Sequence, residues 1–163
     1  MTLKYVFALT AAALALTVNS AHASEDDEEH VFEGYGLEVL HPWTRATTGS
    51  EALFFMEIHN EGDAEIEIIG VSTEDGAEGG LVGFRLVSGR ETYEDLPRVP
   101  VGPGQELELG PLGLAVRVTG LEEPLAEGED LDAMLVTSAG AIEVEFAVEA
   151  EDAQQHSHAG HSH

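Results

Sequence analysis

Everything periodic in this chain has period two, which points to an all-β fold, an antiparallel sandwich or Greek-key barrel. Short apolar runs alternate with acids, as in Glu65-Ile66-Glu67-Ile68 and Glu143-Val144-Glu145-Phe146, so each strand has one apolar and one charged face. Turn-forming pairs and triplets cut these runs at even spacing: Asn60-Glu61-Gly62-Asp63, Ser88-Gly89, Gly102-Pro103-Gly104, Gly110-Pro111 and Ser138-Ala139-Gly140. Beyond the N-terminal segment no stretch carries helical periodicity over more than about two turns.

In chain order, residues 1–23 have the form of a secretory signal peptide. Lys4 supplies the positive end, Tyr5 to Val18 the apolar run, and Ala21-His22-Ala23 a small-x-small cleavage site before Ser24. That run is shorter than the roughly 20 residues a bilayer-spanning helix needs, so the expected mature protein is exported, periplasmic and without a membrane span. Residues 24–35, opening Ser24-Glu25-Asp26-Asp27-Glu28-Glu29, read as a disordered acidic leader. A single domain over 36–149 follows, with strands expected at 37–40, 52–59, 65–72, 81–87, 105–109, 114–119, 132–137 and 142–148. Residues 150–163 form a polar, His-rich tail, expected to be disordered.

Composition excludes several function classes. The chain has 163 residues and 32 Asp+Glu against 6 Lys+Arg, a formal charge of −26, which repels nucleic-acid phosphates. Removal of residues 1–23 takes away the lone lysine and leaves Arg45, Arg85, Arg90, Arg98 and Arg117. The acids are spread along the chain, which favours a solubilising surface of the salt-adapted kind over one acidic docking face. With no cysteine, thiolate metal sites, disulfides, Cys nucleophiles and an acylated N-terminal Cys are all ruled out. No Gly-x-Ser-x-Gly, P-loop, His-Glu-x-x-His or dinucleotide fingerprint occurs, so the chain reads as a binding protein and not an enzyme.

Four segments, in order, carry a family likeness. They are His41-Pro42-Trp43-Thr44-Arg45-Ala46-Thr47; Ala52 to Asn60 with Glu61-Gly62-Asp63; Val101-Gly102-Pro103-Gly104 with Gln105 to Leu109; and Val118-Thr119-Gly120-Leu121 with Pro124-Leu125-Ala126-Glu127-Gly128-Glu129. Together they resemble the PCu(A)C-type periplasmic copper chaperones over about residues 36–148. The resemblance implies a cupredoxin-like barrel that binds Cu(I). It also implies delivery to the copper centre of a respiratory oxidase, with a cytochrome c oxidase subunit or another copper chaperone as partner. Thioethers and imidazoles without thiols suit such a transferable soft cation. Of the ligands the resemblance implies, Met56 matches the Met of the second strand. The first ligand position falls on Thr47, the His-x-Met position near Gly83-Phe84-Arg85, and the second His near 114–116 has no counterpart.

Other donors are available to replace them. His59 lies three residues after Met56 and so faces the opposite way on a straight strand; a bulge near the Asn60 turn would bring the two together. His41 precedes Pro42, which favours an extended backbone, and it stands near Trp43, the chain's single tryptophan. In the tail, His156, His158, His161 and His163 place four imidazoles on a flexible segment able to chelate Cu(II), Zn(II) or Ni(II). Two readings therefore stand. One is a copper chaperone whose barrel site uses Met56, His41 and His59. The other is a non-catalytic interaction module with Met56 sealed in the core and the tail as a general chelator.

Overall fold

The computed structural model describes residues 31–156. These form eleven strands: β1 (Val31–Gly34), β2 (Leu37–Arg45), β3 (Glu51–Asn60), β4 (Ile66–Thr73), β5 (Glu78–Val87), β6 (Arg90–Asp95), β7 (Val99–Val101), β8 (Glu106–Leu109), β9 (Leu114–Thr119), β10 (Asp130–Thr137) and β11 (Ala141–Glu149). The all-β expectation holds, and all eight expected strands are present, most of them a few residues longer. Among the described residues no helix is long and apolar enough to cross a membrane. The signal-like segment 1–23 and tail residues His158, His161 and His163 lie outside the described residues.

Three strands were not anticipated. β1 falls inside the stretch expected to be a disordered leader. Its pairing with β2 is made by a two-residue turn, Tyr35-Gly36, with φ of 56° and 83°, and Phe32 packs against the main core. Two consecutive positive φ values are what a tight hairpin needs to match strand twist. Ser88-Gly89, with φ of 51° and 77°, does the same for β5 and β6. β6 is mostly exposed, so it carries no apolar alternation for a pattern to find. β7 is only three residues long.

Strands β2, β11, β10, β4, β5, β9 and β3 are hydrogen-bonded in succession, and a β2–β3 pairing closes the ring. All neighbours in this ring are antiparallel except β11 and β2, which run parallel over Ala147–Trp43, Val148–Thr44 and Glu149–Arg45. Closure leaves the barrel without a free edge. Phe54, Ile58, Ile68, Leu135, Val144 and Phe146 fill the interior, each fully buried, with Phe54 and Phe146 meeting edge to face at 4.9 Å. Alternation along β3 sends Phe55 the other way, into a second small cluster with Trp43, Val82 and Ala115. The Trp43 and Phe55 rings meet there at 4.6 Å, tilted by 40°. Trp43 is thus buried, in this second cluster and not in the barrel interior.

The turn between β4 and β5 is tied by Asp75. Its carboxylate accepts from the Thr73 hydroxyl, from Ala77 N at 3.4 Å and from Glu122 N at 3.1 Å, which links this turn to the loop after β9. The Thr73 hydrogen bond, with the amides helping, lowers the Asp75 pKa below its ordinary value. A lowered pKa contributes stability above the unfolded-state pKa, near 3.9, and that contribution is lost as pH falls through the folded value. Asp75→Asn should therefore lower the melting temperature at pH 7, with the gap to the parent chain closing below about pH 3.9. Equal melting at pH 7, or a gap that persists in acid, would refute this role.

Candidate metal centre

The register between β2 and β3 slips by one residue in the middle of the pair. Leu40 faces Glu57, but Trp43 faces Phe55, so His41 and Pro42 together stand opposite Met56. This is a β-bulge, the device by which a strand re-aims a side chain. His41 adopts φ of 47°, a left-handed conformation that costs a non-glycine residue about 1–2 kcal/mol. The extended backbone expected before Pro42 is therefore not what forms; closure of the barrel around Trp43 and Met56 overrides the local preference. Such outliers survive where the surrounding fold over-determines them, and they cluster at functional sites.

On its other side Met56 pairs with Leu109 at the end of β8, and β3 changes partner from β9 to β8 between Phe54 and Met56. The turn around Gly110 and Pro111 that separates β8 from β9 leaves an opening at this point. A cavity of about 390 Å³ lies there, lined by His41, Trp43, Met56, Glu57, Glu108, Leu109, Gly110, Pro111, Gln154, Gln155 and His156. Met56 is 1% exposed, packed with the interior core yet contributing to the cavity wall. Met56 is thus a core methionine that also reaches the cavity.

His156 arrives from the C-terminal side. After β11 the chain turns at Ala150–Ala153 and runs back along the barrel. Arg45 donates from Nε to the Ala153 carbonyl at 2.7 Å, while its guanidinium lies 5.6 Å from the centre of the Phe55 ring. Ala153 itself packs on the Trp43–Phe55 cluster. A charge-assisted hydrogen bond of this kind contributes about 1.5–3 kcal/mol. The segment from 150 to 156 is thus attached to the barrel, which corrects the expectation of disorder for this part of the tail. His156 ends 6% exposed, with Nδ1 2.9 Å from Glu149 Oε1 and its ring centre 6.1 Å from that of His41.

His59 does not join them. The bulge that could have turned it toward Met56 is in β2, not β3, so β3 stays regular and His59 points to the opposite face, beside Glu38, Glu57 and Glu106. The cavity is lined by His156 instead. Thr47 is engaged in a bridge with Leu125, and Arg85 is exposed on the β5–β6 hairpin in a two-oxygen contact with Glu94 at 2.7 and 2.6 Å. Neither lines the cavity. The roles of Arg45 and Glu149 had no signal in the sequence, because both depend on the parallel β2–β11 pairing.

The left-handed backbone at His41 yields a direct test. At that position glycine is free of the Cβ clash and alanine is not, so His41→Gly should be more stable than His41→Ala by about 1 kcal/mol. Chemical denaturation of the two variants measures the difference. An alanine variant equal to or more stable than the glycine variant would show that the strain is absent.

Comparison with known proteins agrees with this barrel. Residues 37–148 match the LpqE-like lipoprotein family. Two solved domains superpose on most of the chain: the apo PCuAC domain from PmoF1, 28% identical with a TM-score of 0.61, covering 74% of this chain and 99% of that one; and the apo PCuAC domain of PmoF2, 25% identical with a TM-score of 0.60, covering 77% and 99%. A copper-bound PCuAC domain from PmoF2 shares the fold at 24% identity and a TM-score of 0.59, covering 74% and 98%. No curated protein matches. With the family match spanning the whole barrel and the same fold in PCuAC domains, the chain belongs to the LpqE-like family of PCuAC-type domains.

Proposed function

We propose that this protein binds Cu(I) through His41, Met56 and His156 and passes it on as a copper chaperone. The observation that carries the reading is the meeting of these three donors in one cavity at a strained bulge. A thioether with two imidazoles is a soft, thiol-free set that favours Cu(I) over harder ions. Ring centres 6.1 Å apart allow one nitrogen of each imidazole to approach the same ion at about 2 Å. The Glu149 carboxylate beside His156 Nδ1 favours a proton on that nitrogen and orients the ring. The copper-bound PCuAC domain of the same fold supports the choice of metal.

Copper is cargo here, so the chemistry is exchange and not catalysis. Neutral donors hold the ion without a strong charge bond, and Glu57 and Glu108 beside the cavity attract the cation. Because His156 is carried on the 150–156 segment, lifting that segment removes one ligand without disturbing the barrel. In this reading the signal-like segment 1–23 exports the chain to the periplasm, and the recipient is a respiratory oxidase copper centre, through a cytochrome c oxidase subunit or another copper chaperone. The remaining tail histidines, His158, His161 and His163, gather Cu(II) or other divalent ions nonspecifically.

Cu(I) titration against a competing chelator tests the site. The full chain and a chain lacking residues 157–163 should both retain one tight Cu(I). Met56→Leu, His41→Ala and His156→Ala should each weaken it by at least about tenfold, the scale seen even for lost outer-shell partners. Arg45→Gln should weaken it similarly by releasing the segment that carries His156, whereas His59→Gln should leave it unchanged. Undiminished binding in Met56→Leu, or loss of all binding with residues 157–163, would leave a barrel used for docking with a chelating tail.

A further inference from the structure

On the opposite face of β3 lies a group of donors that the copper reading does not use. His59 sits mid-sheet, with Glu38 directly across on β2 and Glu106 directly across on β8, so the backbone register fixes the row. Glu61 completes a cluster: one donor atom from each of Glu38, His59 and Glu61 lies within 4.8 Å of the others. The turn that presents Glu61 is rigid, since Glu61 N donates to Gly36 O at 2.9 Å and the buried Asn60 side chain donates to the Ala64 and Val101 carbonyls.

The spacing is informative. His59 Nδ1 is 3.6 Å from Glu38 Oε2, and Nε2 is 3.9 and 4.0 Å from carboxylates of Glu106 and Glu57. These separations exceed hydrogen-bonding distance. Two donors bound at about 2.1 Å to one tetrahedral ion lie about 3.4 Å apart, close to the His59–Glu38 distance. With His59 23% exposed, the cluster is open to solvent on one side, so water can complete a coordination shell. It also borders a second cavity, lined in part by Glu38 and Glu61.

We propose that Glu38, His59 and Glu61 form a second cation site, separate from the His41–Met56–His156 cavity, that takes a borderline divalent ion of the Zn(II) class. Two carboxylates and one imidazole carry no soft sulfur, so this site discriminates against Cu(I) where the cavity selects for it. Two metal preferences on the two faces of one strand follow directly from the period-two alternation of Met56 and His59. The inference stands whether or not the cavity binds copper.

Zn(II) titration of the full chain, followed through assigned histidine ring resonances, tests it. The His59 ring signals should shift saturably, with the same midpoint in His156→Ala. Glu38→Gln and Glu61→Gln should each move that midpoint by at least about tenfold, the scale known for lost outer-shell partners. Thermal melting of each variant checks that it is folded; if one is not, His59→Gln must remove one Zn(II) from the measured stoichiometry. His59 signals that stay fixed while the tail histidines saturate, or midpoints indifferent to both glutamate changes, would show that the carboxylates are not ligands and would overturn the site.

Discussion

The structure turns on a one-residue excess in β2, where His41 and Pro42 face the single Met56 of β3. A closed barrel has no edge on which to release such a mismatch, so it is absorbed locally as a bulge and a left-handed backbone at His41. Burial of Trp43 and Phe55 beyond the bulge and of Val39 and Ile58 before it locks the register on both sides. Each such side chain contributes about 1.5–3 kcal/mol, enough together to hold one strained residue. The same slip puts the imidazole beside the thioether, at the point where β3 exchanges β9 for β8 and the wall opens.

The second constraint is the parallel pairing of β11 with β2. It delivers the chain at Glu149 next to Arg45, and the turn at Ala150–Ala153 then lies within reach of the Arg45 guanidinium. Six residues separate Glu149 from His156, enough to double back to the cavity. A cation that anchors a backbone carbonyl through Nε and lies over the Phe55 ring is hard to replace by lysine, whose ammonium has no equivalent donor partway along its stem.

Charge sets a background for both faces of the barrel without selecting a metal. Four arginines, Arg45, Arg85, Arg98 and Arg117, have close polar contacts, three of them with carboxylates. Those exposed pairs contribute little to stability, and most of the 32 acids remain as a field that raises the local concentration of any cation. In the two proposed sites selection would fall to donor type: sulfur with imidazole toward the cavity, imidazole with carboxylates on the outer face.

Alternation of residue types along the chain determined the eight main strands and the turns between them, because period-two burial is a local property. The order of weak motifs determined the family. What it left out were β1, β6 and β7, since a polar hairpin arm or a three-residue strand carries too little apolar contrast to stand out. Only tertiary structure decided which histidines accompany Met56. His59, near in sequence, is sent away because β3 runs straight, and His156, a hundred residues off, is brought in because β11 lies beside β2. Side-chain convergence depends on register and strand adjacency, and these are fixed by closing the barrel, not by any window of neighbouring residues.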